Sequence, residues 1–309
     1  MAEIIMPQGD YDLCGWRVTS VIALPDLPRW TGDARNPDVT IEIGQAGPLD
    51  QPVVSTPLVQ IDAEGRTRFG VEGVAQYRVE AGRRVIIDPA QPLDAPDIRL
   101  FLLGSALGYL CHQRGVMPIH AATVDIDGEA VCFAGASGAG KSTLADAFAR
   151  RGHPVLSDDV SPLDPDHGLI LPSLRRIRMW GDAIDNAGWD ASTMERCRAG
   201  LEKFSRTLHD GPSVEPLRPR AIFHLRRQWD KLGGARFRRI RGRPAVEQFR
   251  RQVYRWRSLV GMAGASSAMA RSAIAASHFP LHFIVERPHT FDRLDATVDE
   301  ILATVRAAR

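Results

Sequence analysis

The chain has 309 residues, 44% of them hydrophobic and 25% charged, enough to fill the core of one large domain or two ordinary ones. A formal net charge of +2 excludes a whole-molecule bias toward nucleic acid or membrane. The longest nearly uncharged apolar run, Leu100 to Cys111, falls well short of the ~20 residues that span a bilayer.

The opening MAEIIMPQGDYD lacks the basic and apolar regions of a secretory signal. Cys14, Cys111, Cys132 and Cys197 stand singly, with neither metal-ligand spacing nor the density of a disulfide framework, so the expected compartment is the cytoplasm. From Trp16 to Pro89 the runs WRVTSVIAL, DVTIEI, VAQYRV and RRVIID alternate with Pro, Gly and Asp clusters and predict a β-rich N-terminal unit. The Pro-rich stretch Asp88 to Pro96 then gives way to the apolar segment Ile98 to His112, whose length favours a helix. A domain boundary is therefore expected at residue 96, giving domains 1–96 and 97–309.

Ala121–Ile126, a tight Asp127-Gly128 turn and Ala130–Ala134 predict a hairpin that feeds a glycine loop, Gly135-Ala136-Ser137-Gly138-Ala139-Gly140-Lys141-Ser142. Ser142 to Arg151 has helix-compatible apolar spacing and stops at Gly152, and Pro154–Ser157 predicts the next strand, ending in Asp158-Asp159. Strand, loop, helix and acid-tipped strand is the order a phosphate-binding α/β core requires. Glu247–Ala263 and Leu294–Ala308 are expected as helices and His282–Glu286 as a short buried strand.

The loop matches G-x-x-x-x-G-K-[ST] in full. Its glycines let backbone N–H groups turn inward around phosphate oxygens, and the following helix adds its positive end at the same point. Residues Gly135 to Thr143 are thus candidate ATP contacts, with Lys141 reaching the outer phosphates and the Ser142 hydroxyl taking one position on Mg²⁺. Asp158 and Asp159 lie 17 and 18 residues after Lys141. The two can divide the labour, one holding the metal or its water shell and one accepting a proton from an attacking hydroxyl, or they are a capping or turn pair. His120, at the base of the hairpin, is a third candidate, either orienting the acid or purely structural.

The block formed by His120 and its hairpin, Gly135 to Ser142, Arg151-Gly152-His153 and Asp158-Asp159 resembles the catalytic domain of the bacterial HPr kinase/phosphorylases over roughly residues 98 to 165. That resemblance implies an α/β fold with an HPr-kinase-like P-loop core, unlike that of most nucleotide kinases, carrying a β-rich N-terminal unit. It implies a serine kinase using ATP and Mg²⁺, with Asp159 as proton acceptor, Lys141 as phosphate ligand, Ser142 as metal ligand and His120 in the active site. The family also carries a Glu-Ile-Arg-Gly-like signature whose Glu helps bind the metal, where this chain reads Leu171-Pro-Ser-Leu-Arg-Arg-Ile-Arg-Met-Trp180. Asp182 or Asp185 is the nearest replacement, unless Ser142, Asp158 and water suffice. Arg175, Arg176 and Arg178 read either as contacts to phosphate or as the two faces of a strand. The N-terminal half does not resemble the family's sensor domain. The chain is more similar to stand-alone members, some of which phosphorylate a serine of a ribosomally made precursor peptide such as a lasso-peptide precursor.

Between Leu217 and Arg257 stand 13 Arg and one Lys against Asp230 and Glu247, interleaved with Trp229, Phe237, Phe249, Tyr254 and Trp256. The local excess of +12 leaves about −10 elsewhere, so these cations either pair within the fold or steer an acidic protein or peptide substrate to the site. Nucleic acid is the weaker expectation, and a homo-oligomer stays open. No LSGGQ-like or Asn-Lys-x-Asp motif occurs, which disfavours an ABC-type ATPase and a GTPase. The alternatives to a serine kinase are a nucleotide-dependent regulatory module without phosphotransfer and a small-molecule kinase.

Overall fold

In the computed structural model, residues 8–198, 200–208, 215–228, 234–288 and 290–308 are described. Trp229, Asp230 and Lys231 of the Arg-rich segment lie outside them. The protein is a mixed α/β chain of several sheets and divides into two compact units. The first contains the chain up to Val116 together with Arg255–Met269, and the second Met117–Tyr254 together with Ala270–Arg309.

Eight strands build the first unit: β1 (Gly9–Leu13), β2 (Trp16–Ser20), β3 (Val39–Ile43), β4 (Val54–Ser55), β5 (Val59–Ile61), β6 (Thr67–Val71), β7 (Ala75–Glu80) and β8 (Arg84–Pro89). They form one sheet in the order β1-β2-β3-β8-β7-β6-β5-β4. A helical segment follows as α1 (Pro96–Phe101), a π-helical turn Leu102–Ala106 and α2 (Leu107–Gln113). This segment belongs to the first unit, so the boundary lies at Val116 and not at residue 96. The reason is packing: the Tyr77 hydroxyl on β7 donates to the Ile98 carbonyl at 3.0 Å, and the Phe69 ring stacks on Tyr77 at 4.7 Å and meets Tyr109 at 5.2 Å. The apolar run has its partner in the N-terminal sheet, and the prolines before it mark only a change of direction.

The second unit begins with β9 (Met117–Ile119), β10 (Ala121–Ile126), β11 (Glu129–Gly135), α3 (Lys141–Arg150) and β12 (Val155–Ser157). It continues through β13 (Ser161–Asp164), β14 (Leu169–Ile170), β15 (Arg176–Trp180), α4 (Gly181–Ala187), β16 (Glu195–Arg196), β17 (Lys203–Thr207), β18 (Pro219–Gln228), β19 (Arg236–Ile240) and α5 (Arg243–Arg250). The chain then gives α6 (Trp256–Ala263) to the first unit, passes between units within α7 (Ala265–Ser277), and completes the second with β20 (Leu281–Pro288) and α8 (Leu294–Ala307).

The central sheet runs β12-β10-β11-β18-β20-β19, with β11, β18 and β20 parallel and the others antiparallel to their neighbours. The β10–β11 hairpin turns on Asp127 (φ 56°) and Gly128 (φ 82°), the paired left-handed conformations that two-residue hairpins favour. Every second residue of the sheet faces one core: Val124 and Ile126, Val131 and Phe133, Phe223 and Leu225, Phe283 and Val285. Leu144 and Phe148 of α3 and the helical stripe Leu294, Val298, Ile301 and Val305 of α8 close over it. Phe133 and Phe148 meet at 5.2 Å, which ties α3 to the strand that delivers the glycine loop.

The expected helix Glu247–Ala263 is two helices. Between α5 and α6, Val253 bridges to Ile119, the Tyr254 amide donates to the Pro118 carbonyl, and Arg255 takes a left-handed φ of 56°. Long-range backbone pairing thus overrides local helical spacing. β18 and the three-stranded sheet β15-β17-β16 were not anticipated from the sequence.

Candidate functional site

The glycine loop joins the end of β11 to the first turn of α3. Gly138 (φ 77°) and Gly140 (φ 85°) are left-handed, and a Cβ at Gly140 would come within 1.9 Å of the Arg287 Nη2 atom. That guanidinium is buried and donates to the Ala139 carbonyl at 3.2 Å. Burial lowers its pKa to about 10, which leaves it protonated at neutral pH. Lys141 Nζ donates to the loop's own carbonyls, Gly135 at 2.9 Å and Ala136 at 3.2 Å. Burial pulls the Lys141 pKa down, opposed by Asp158 and Asp159.

The acid pair is presented by the turn from β12 to β13. A buried hydroxyl network fixes that turn: Ser161 Oγ lies 2.7 Å from Ser157 Oγ and 2.8 Å from Thr123 Oγ1, and donates to the Ala121 carbonyl. Asp159 takes φ 83°, rare for a residue with a side chain and tolerated best by Asp and Asn. The two carboxylates therefore go to different partners. Asp158 is buried and accepts the Ser142 hydroxyl at 3.0 Å and the Arg178 amide at 3.0 Å. Burial, with Asp159 adjacent, raises its pKa above the ordinary carboxylate value.

Asp159 is partly exposed and faces a cavity of ≈ 470 Å³. Its Oδ1 is 3.5 Å from His120 Nε2, and its Oδ2 accepts from Arg178 Nη1 at 3.0 Å. Burial alone would raise its pKa, but the His120 contact and the Arg178 charge outweigh that and hold it well below the ordinary value. His120 is set by its amide, which donates to the Gln252 carbonyl at 2.7 Å, and its ring lies 6.0 Å from that of Tyr254.

The cavity is lined by His120, Ser137, Gly138, Gly140, Lys141, Ser142, Thr143 and Asp159 among the residues expected from sequence. Gly135, Ala136 and Ala139 do not border it; they shape the loop and hold Lys141 and Arg287 through their carbonyls. Asp158 stands behind Ser142 and is not on the cavity wall. Of the three arginines on the segment before Trp180, Arg178 reaches the cavity and Arg175 and Arg176 do not. Asp182 lines the wall, whereas Asp185 does not.

Arg287, Lys203, Trp180 and Phe291 also line the cavity and were missed in the sequence. For Arg287 the signal was a charged residue terminating the apolar strand His282–Glu286. The other three had none: pairing of β15 with β17, Trp180 opposite Lys203, brings two of them to the wall, and Phe291 stands in the connection from β20 to α8.

The donor set suits a magnesium nucleotide. Ser142 offers a hydroxyl to the cavity with a carboxylate behind it, and Mg²⁺ takes few protein oxygens alongside phosphate and water. Arg178 Nη2 and Arg287 Nε have no hydrogen-bond partner among the described residues, as donors awaiting an anion would. No cluster of three or more His, Cys, Asp or Glu that would hold a metal by itself occurs among the described residues. Likewise no helix there is long and apolar enough to cross a membrane.

No family model matches the chain, and no curated protein matches it. Among solved structures, the chain is similar to the Hpr(Ser) kinase/phosphatase from Coxiella burnetii, with 15% identity, 62% of this chain and 93% of that chain covered, and a TM-score of 0.30. So loose an overlap adds nothing to the chemistry, which stands on the residues themselves.

Proposed function

We propose that the protein is an ATP-dependent kinase that phosphorylates a serine hydroxyl on a protein or a ribosomally made precursor peptide. The observation that carries this is the position of Asp159, ionised and 3.5 Å from His120, on the same cavity wall as Lys141 and Ser142 of the glycine loop. The loop amides and the N-terminus of α3 bind the triphosphate, and Lys141 exchanges its two loop carbonyls for the outer phosphates. Ser142 would hold Mg²⁺, with Asp158 behind it holding the ion's water shell, and an ion bound there would neutralise charge on the phosphates. Arg178 and Arg287 add fixed positive charge around the transferred group. Asp159 accepts the serine proton as the serine oxygen bonds to the γ-phosphorus and the bond to the β,γ-bridging oxygen breaks, releasing ADP. His120 orients the carboxylate.

The test is transfer of labelled γ-phosphate to candidate serine peptides by the parent and by Asp159→Asn. Transfer by the variant at the parental rate removes Asp159 from this role. One observation favours a second reading, a nucleotide-dependent regulatory module: beyond Ser142, Asp158 and the proton-accepting Asp159, the one further carboxylate on the cavity wall among the described residues is Asp182, which accepts from the Ala183 amide at 2.9 Å. ATP-dependent partner binding without a phosphorylated product would establish that module instead.

A further inference from the structure

The basic segment is not uniform in three dimensions. Arg220 lies 3.6 Å from Glu129, and Arg243 pairs with Glu247 at 2.7 Å. Four of the remaining cations stand together on β19 and the residue after it, where Arg236, Arg238, Arg239 and Arg241 are all exposed, while the exposed Arg218, Arg226, Arg251, Arg255 and Arg257 lie elsewhere on the chain. Among the described residues, Arg236, Arg238 and Arg241 have no salt bridge, and Arg239 makes only a 3.4 Å contact to the Pro280 carbonyl. Glu286 stands opposite Arg236 in register without closing an ion pair.

β19 is the edge of the central sheet, paired on one side with β20 and, among the described residues, unpaired on the other. Phe237 faces the core, meeting Phe223 at 6.0 Å, and Ile240 joins Ile284 on the opposite face. The strand is thereby anchored on both faces while its outer N–H and C=O groups stay available between cationic side chains. An edge so charged repels another copy of itself and attracts an anionic strand.

We propose that this edge docks the acceptor substrate: an acidic, extended segment of the protein or peptide adds as a strand beside β19, its carboxylates meeting Arg236, Arg238, Arg239 and Arg241. Docking stands independently of the kinase reading, whereas phosphate transfer to the docked segment rests on it.

The sheet also fixes a spacing. Gly135, Leu225, Val285 and Phe237 form one row across β11, β18, β20 and β19, so β19 begins at the end of the sheet where the glycine loop leaves it. Asp159 follows β12, on the far edge. A strand docked outside β19 is six spacings of about 4.8 Å from β12, roughly 29 Å, which an extended chain crosses in about nine residues. The phosphorylated serine is thus expected about nine residues from the docked acidic run.

The experiment measures binding of a fluorescein-labelled decapeptide of Asp, Glu and Val by anisotropy without nucleotide. It includes the Asn/Gln isostere, a version N-methylated at alternate residues, and an oligothymidylate of equal charge. Parent and Asp159→Asn should bind the acidic peptide alike, and the triple variant R236S/R238S/R241S should bind it ~10-fold or more weakly. The isostere and the N-methylated peptide should both lose binding. Unchanged affinity in the triple variant, with its fold confirmed by circular dichroism, overturns the site. Full binding of the N-methylated peptide overturns strand addition, and tighter binding of the oligonucleotide makes the edge a nucleic-acid surface instead. In a second arm, peptides with serine 5, 9 or 13 residues from the acidic run are tested for labelled phosphate transfer. Best transfer near nine supports the spacing and a flat response refutes it. Docking without any transfer would defeat the kinase reading while leaving the docking site intact.

Discussion

Removing Arg178 and Asp159 singly and together isolates the interaction that positions the proposed proton acceptor. Arg178 is buried at 7% exposure and Asp159 is 28% exposed, and they are joined at 3.0 Å. A charge-assisted hydrogen bond of this kind contributes about 1.5–3 kcal/mol. In a cycle of Arg178→Met, Asp159→Ala and the double variant, followed by urea unfolding, the coupling energy should fall in that range. The pH dependence has a definite sign. Asp159 titrates below its unfolded value, so its contribution is fully present above the unfolded carboxylate value of ~3.9 and is lost as pH falls through the lower folded value. The stability gap between parent and Arg178→Met should therefore be constant from pH 7 to pH 5 and shrink only in strong acid. A coupling energy below about 0.5 kcal/mol, the limit for independent sites, would refute the assignment of Arg178 as a residue that, with His120, holds Asp159 ionised and in place.

Gly140→Ala places a side chain at φ 85° and against Arg287, so a strain of about 1–2 kcal/mol should accompany weaker nucleotide binding, read by titration calorimetry. Asp158→Asn removes the charge and one acceptor oxygen of the carboxylate that takes the Ser142 hydroxyl and the Arg178 amide; Mg²⁺-dependent nucleotide affinity should drop while metal-free affinity changes little, checked by titrating magnesium against a fluorescent nucleotide. His224 is buried 3.4 Å from His282, and burial first, then His282, lowers its pKa to about 3. The unfolded chain then binds the extra proton between pH ~6.5 and about 3, so stability falls as pH drops through that window by up to ~1.4 kcal/mol per unit. His224→Leu should flatten this acid limb in urea titrations at pH 4, 5 and 6.

Local chemistry on the chain determined the elements that form from their own residues. The Asp127-Gly128 turn, the glycine loop, the helix after it and the tail helix at Leu294 each follow from short-range backbone preferences and apolar spacing. So does the closeness of Ser142 to the acid pair, since one helix and one returning strand separate them.

Tertiary structure decided which residues joined that frame. The apolar run after Pro96 is equally a helix in either unit, and Tyr77 and Phe69 settle where it lies. The spacing from Glu247 to Ala263 is helical, yet pairing of Pro118 and Ile119 with Tyr254 and Val253 splits it. The adjacent carboxylates look equivalent on the chain, and only the left-handed turn at Asp159, closed by Ser157 and Ser161, sends one behind Ser142 and the other to His120 and Arg178. Arg287, 146 residues after Lys141, enters the loop solely because β18 and β20 line up in parallel beside β11. Residue patterns encode contacts a few positions apart, whereas register across a sheet is fixed by packing both faces at once, and that is where the second half of this site is made.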